Sequence, residues 1–178
     1  MQLFETNRLR CYSLSLADYS DFEAGLEPKW DGFTNPYKHL IVGPSPLVHR
    51  IPRVKREPSF AEIGLVLAIS KSDNEIIGSA GFHDFPNEVG MIEIGFGIVP
   101  EKQNQGFGKE LLLGMWEMIC KRTDVKVLRY TVSPENGPSI HIINKMGFTK
   151  IGEQMDPEDG LELIFEMSVS DFIKPFDK

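Results

Sequence analysis

Residues 103–109, Gln-Asn-Gln-Gly-Phe-Gly-Lys, leave a stretch of alternating character and open onto an apolar helical run. Glycines and a lysine at the mouth of a helix suit an anion, because the first N–H groups of a helix have no internal partner and its dipole end is positive. The known phosphate loops can be tested position by position. A G-x-x-x-x-G-K-[ST] loop would need glycine where Gln103 stands and a hydroxyl residue where Glu110 stands. A dinucleotide fingerprint starting at Gly106 would need a third glycine in place of Leu111. Both fail. Lys109 in the first helical turn is mildly unfavourable unless an anion lies near. The competing account is a tight turn with Lys109 in solvent and offset by Glu110, and the loop alone leaves both open.

A second candidate lies just upstream. In Met91–Ile98 the apolar Ile92, Ile94, Phe96 and Ile98 alternate onto one strand face, leaving Glu93, Gly95 and Gly97 on the other. A carboxylate on a glycine-lined face is placed to take a proton from a bound group, directly or through water. An exposed or ion-paired strand residue is the alternative. His83, beside Asp84, suits a second base or a surface hairpin. The basic run HRIPRVKR, His49 to Arg56, suits phosphate docking or a solvated loop. Cys11 and Cys120 lack metal-ligand or C-x-x-C spacing and are expected to be core thiols, so no metal site is expected.

The elements that must position these residues follow from punctuation by Gly, Pro, Asn and Asp. Leu9 to Leu14 reads as a first strand. Ser15-x-x-Asp18 reads as a capping pair, with Leu14 and Tyr19 as staple, opening a helix with Tyr19, Phe22 and Leu26 on one face. Residues 27–60 read as loops with at most one short helix. Residues 62–69, 75–83 and 91–98 read as strands of an antiparallel meander. The helix after the loop places Leu112, Met115, Trp116 and Ile119 at i, i+3, i+4 and i+7. A strand at 125–132 then makes a parallel pair with 91–98 across that crossover helix. A short helix at about 138–146, capped near Asn136 and ended by Gly147, precedes strands at 149–155 and 161–169 around an acidic turn.

The 178 residues, 41% hydrophobic, suffice for one domain spanning the chain. No apolar run approaches the roughly 20 residues of a membrane span, and the N-terminus lacks a signal-peptide core, so a cytoplasmic protein is expected. A formal charge of -7 argues against binding nucleic acid and fits cationic partners.

Gln-x-x-Gly-x-Gly directly after a strand resembles the acyl-CoA pyrophosphate loop of the GNAT superfamily of N-acetyltransferases. Asn136 to Phe148, NGPSIHIINKMGF, is similar to the family's N-x-x-S-x-x-x-x-x-K-x-G-F segment. With IIGSAGF, EIGFGIVP and ETNRLR also in register, the resemblance covers nearly the whole chain and points to the RimJ/RimL-like branch, which acetylates protein N-termini and other amines. It implies an α/β (α+β) fold: a mixed, mostly antiparallel sheet of about seven strands with flanking helices. The fourth and fifth strands, 91–98 and 125–132, would be parallel and splayed to admit the pantetheine arm.

The resemblance also implies roles. Acetyl-CoA would be the cosubstrate, bound by Gln103, Asn104, Gln105, Gly106, Phe107, Gly108 and Lys109, with backbone groups around Ile98 and Val99 as oxyanion donors. Glu93 would be the base for a primary amine, either a small molecule or a protein N-terminus. Asn136 would contact pantetheine or cap its helix, and Ser139 likewise. Many relatives carry a tyrosine as general acid where this chain has Ile143, which leaves Ser139 or water as the acid. Asp156, Glu158 and Asp159 would border the acceptor. The rivals are a noncatalytic acyl-CoA sensor and a transferase of larger acyl groups; a monomer or homodimer is expected.

Overall fold

The computed structural model describes residues 1–43 and 45–174. They pack as two compact units, one of Met1–His83 with Phe96–Met115, the other of Asp84–Gly95 with the described residues from Trp116 onward.

In the first unit β1 (Gln2–Glu5), β2 (Leu9–Ser13), β3 (Val66–Ser70) and β4 (Ile76–Phe82) pair antiparallel in that order, with Cys11 opposite Ala68 and Val66 opposite Ala80. Every residue of β3 and β4 is buried, so no polar-out alternation marks them. Strand β1 is an addition to the expected seven strands; it was too short and too lightly punctuated to stand out. Helix α1 (Leu16–Glu23) starts on the expected capping box, Asp18 N–H donating to Ser15 Oγ at 3.2 Å and Ser15 N–H to Asp18 Oδ2 at 2.7 Å. It stops before Gly25, whose φ of 72° breaks the helix, so Leu26 lies outside it and is exposed. The basic run is not a loop. It forms most of α2 (Leu47–Arg56), followed by a 3-10 turn at Pro58–Phe60 and by α3 (Ala61–Gly64), which takes residues expected to begin β3.

In the second unit the start of β5 (Met91–Ile98) runs parallel to β6 (Val127–Val132), from Met91 opposite Val127 to Glu93 opposite Arg129. Strand β6 pairs antiparallel with β8 (Gly160–Ser168), and β8 with β7 (Thr149–Asp156). Helix α5 (Gly137–Lys145) and the short α6 (Val169–Phe172) complete it. Helix α4 (Phe107–Ile119) contributes to both units, and its four stripe residues, Leu112, Met115, Trp116 and Ile119, are all buried. Trp116 packs against Phe148 with ring centroids 5.9 Å apart.

Candidate active site

The loop belongs to the first unit. Val99 follows β5 and donates its N–H to Ile77 O at 2.9 Å, and a 3-10 turn at Pro100–Lys102 comes next. That bond removes the Val99 N–H as an unpaired oxyanion donor, contrary to expectation; the ladder still uses it. Gln103 folds back, its Nε2 donating to Ile98 O at 2.8 Å, and Gln105 Nε2 donates to Glu101 O at 3.3 Å. Both side chains therefore shape the loop from within.

Asn104 and Gly106 adopt positive φ, 58° and 82°, on either side of Gln105. Left-handed residues interleaved in this way turn successive N–H groups toward one concavity, the geometry of an anion nest. The N–H groups of residues 104–109 donate to no acceptor among the described residues. The first turn of α4 supplies three of them and the positive end of its dipole. Gly108 has a further reason to be glycine, since a Cβ there would stand 2.9 Å from Phe96 Cε2. Lys109 is exposed. Glu110 does not offset it locally: its carboxylate is held by Thr6 and Arg8, more than a hundred residues away in sequence.

The second unit holds Glu93, half-buried in β5. Thr131 of β6 donates its hydroxyl to Glu93 Oε1 at 2.6 Å, fixing the carboxylate. Arg129, opposite Glu93 in register, gives its Nε instead to Glu166 Oε1 at 2.7 Å. Asn136 is the N-cap of α5, accepting from Ser139 N–H at 3.2 Å. Tyr130 is a buried residue of β6; burial raises the pKa of its phenol, and the neighbouring Ser139 side chain partly offsets the rise. Ile143 is fully buried core.

His83 is exposed at the end of β4. Asp156 Oδ1 accepts from Glu158 N–H at 2.7 Å and Asp159 N–H at 2.9 Å, so one of the three acids closes the turn and the other two are exposed. In α2, Arg50 is buried with its Nε on Gly64 O at 3.0 Å, and Lys55 reaches Glu23 at 2.7 Å, so the basic run serves the fold. Burial raises the thiol pKa of Cys11 to about 12 and of Cys120 to about 11, which removes both as thiolate nucleophiles at neutral pH.

Sequence reasoning missed four groups here: Arg8 and Thr6 at the loop, Thr131 on Glu93, Tyr130 beside Ser139, and a His39–Ser79 pair. His39 Nε2 lies 2.8 Å from the Oγ of Ser79, which is buried in β4. Alternation in VLRYTV could have separated Tyr130 from Thr131 by face; the other pairings have no local signal.

The family model for the acetyltransferase (GNAT) domain matches residues 29–149. An uncharacterized N-acetyltransferase p20 from Bacillus licheniformis is 27% identical over 106 residues, which is 60% of this chain and 60% of that protein. The chain thus spans less than two thirds of that relative's length. The ribosomal-protein-S5-alanine acetyltransferase of Vibrio fischeri has the same fold at a TM-score of 0.67 and 16% identity, over 97% of this chain and 98% of that one. A chimera of the Vibrio cholerae spermidine N-acetyltransferase with hSSAT also reaches a TM-score of 0.67, at 14% identity, over 94% and 99% of the two chains. With a family model covering more than half its length and a mixed eight-stranded sheet with flanking helices, the chain belongs to the GNAT acetyltransferase family.

Proposed function

We propose that the protein is a cytoplasmic, single-domain N-acetyltransferase of the RimJ/RimL-like kind, moving an acetyl group from acetyl-CoA to the primary amine of a protein N-terminus or a small molecule. The observation that carries this reading is the loop at 104–109, whose unbonded N–H groups, interleaved left-handed residues and helix end suit a diphosphate. The donor supplies an activated thioester; the chain supplies binding and proton traffic. Glu93, held by Thr131, takes the proton from the acceptor amine as that nitrogen attacks the thioester carbon. The C–S bond breaks, and the departing thiolate takes a proton from Ser139, which recovers one from solvent, or from water directly. Solved proteins of this fold include a ribosomal-protein-S5-alanine acetyltransferase and a spermidine N-acetyltransferase chimera, which supports an amine acceptor in general and selects neither.

Thiol release from acetyl-CoA, followed with N-terminal peptides, polyamines, amino acids and aminoglycosides, tests the reading. Amine-dependent release by the wild-type chain is expected. Tight CoA binding with no turnover on any amine would make the chain a sensor, and absence of CoA binding would overturn the loop assignment.

A further inference from the structure

The turn between β1 and β2, Thr6-Asn7-Arg8, reaches the loop from the far end of the sequence. Thr6 Oγ1 donates to Glu110 Oε1 at 2.6 Å, the Arg8 N–H to the same oxygen at 2.7 Å, and Arg8 Nε to Glu110 Oε2 at 2.6 Å. Leu9 N–H donates to Thr6 Oγ1 at 3.0 Å and orients that hydroxyl. Glu110 stands in the first turn of α4, where the helix end favours a carboxylate. Burial pushes its pKa up, but the bonds from Thr6 and Arg8 outweigh this and hold it below the usual range.

The rest of the guanidinium faces the loop. Nη1 donates to Gln105 O at 2.9 Å, and the guanidinium carbon lies 4.2 Å from the centroid of the Phe107 ring. Nη2 stands 3.4 Å from the place a Cβ on Gly106 would occupy. It is the one edge of the fork with no partner among the described residues. Gln105, Gly106 and Phe107 are also residues whose N–H groups lack an acceptor. The ion pair with Glu110 cancels much of the charge at a distance, so Arg8 brings a positioned donor more than a field.

We propose that Arg8 is a binding residue for the donor's diphosphate, its Nη2 donating to the group that the N–H groups of 104–109 hold, with Glu110, Gln105 and Phe107 fixing the fork. This rests on the acyl-CoA reading above. Lysine could not replace it, because an ammonium donates from a single nitrogen, whereas the guanidinium spreads Nε, Nη1 and Nη2 over a rigid plane and so reaches Glu110, Gln105 O and a ligand at separate points.

Calorimetric titration of the full chain with CoA and 3'-dephospho-CoA, together with acetyl transfer from phosphate-free acetyl-pantetheine, tests the proposal. Arg8→Gln should weaken both nucleotides by about 10- to 100-fold, the range of one charge-assisted bond, and leave kcat/KM for acetyl-pantetheine within about twofold. Arg8→Lys should fail to restore affinity, and it decides the matter if Arg8→Gln does not fold. Unchanged CoA affinity in a folded Arg8→Gln or Arg8→Lys would overturn the assignment. So would an equal loss with acetyl-pantetheine, which would mark a purely structural role, or a loss confined to CoA, which would move Arg8 to the 3'-phosphate. If the wild-type chain binds neither nucleotide, the acyl-CoA reading itself falls.

Discussion

His39 is held in an expensive place. Its neighbours Lys38 and Leu40 both adopt positive φ, 51° and 67°, a conformation costing side-chain-bearing residues on the order of 1 kcal/mol each. Asn35 clamps the segment, its Oδ1 accepting from the His39 N–H at 2.9 Å and its Nδ2 donating to His39 O at 3.1 Å. The ring meets the hydroxyl of the buried Ser79 at 2.8 Å, and burial lowers its pKa from 6.5 to about 4. Below pH 6.5 the unfolded chain takes up a proton that the folded chain refuses until about pH 4, so stability falls as pH drops through that window and is unaffected above it. At about 1.4 kcal/mol per unit, the loss approaches roughly 3 kcal/mol, a large share of the ~5–15 kcal/mol a domain possesses. Urea midpoints of wild type and His39→Gln between about pH 7.5 and 4.5 isolate this group, because every other titration is common to both. The variant should be about 1 kcal/mol weaker near neutrality, from the altered bond to Ser79, and should gain roughly 2–3 kcal/mol on the wild type by the acid end. Parallel pH profiles would refute the argument that burial keeps this imidazole neutral.

A Cβ on Gly81 would stand 2.1 Å from Gly64 O, the carbonyl that also takes the Arg50 bond, so Gly81→Ala should cost about 2–3 kcal/mol by denaturant titration, and an unchanged midpoint would contradict this packing. Gly106→Ala should weaken CoA binding through strain at φ 82°, whereas Gly106→Asn, which tolerates that conformation better, should lose less; equal losses would show that the left-handed backbone is not the reason. Glu93→Gln should leave CoA affinity intact and lower turnover by roughly 10- to 1,000-fold, with partial recovery at high pH as the amine becomes neutral unaided. A lysine-like acceptor needs about 4 kcal/mol to lose its proton near neutrality and a protein N-terminus only about 1, so the deficit should be larger for the former.

The sequence made the apolar stripe of α4 legible because four large residues at helical spacing have one packing solution. The strands at 91–98 and 125–132 were legible through alternation. Helix α2 was hidden because its buried stripe is Leu47, Arg50 and Val54, and an arginine inside the core counts as polar in any pattern. Pro52 then made the run look like a loop. The site was legible only where its parts are neighbours in sequence. Lys109 is the nearest cation to Glu110 in sequence, yet the partners of Glu110 come from the β1–β2 turn, and Ser79 meets a histidine 40 positions away. The glycines of the loop carry a different lesson. Gly108 is needed to clear Phe96, and Gly106 to hold a left-handed backbone, before any phosphate arrives. A motif of this kind is fixed twice over, by the packing that builds the loop and by the anion proposed for it. The glycines alone therefore speak to the fold, and the weight of the functional argument falls on the unbonded N–H groups and on the guanidinium beside them.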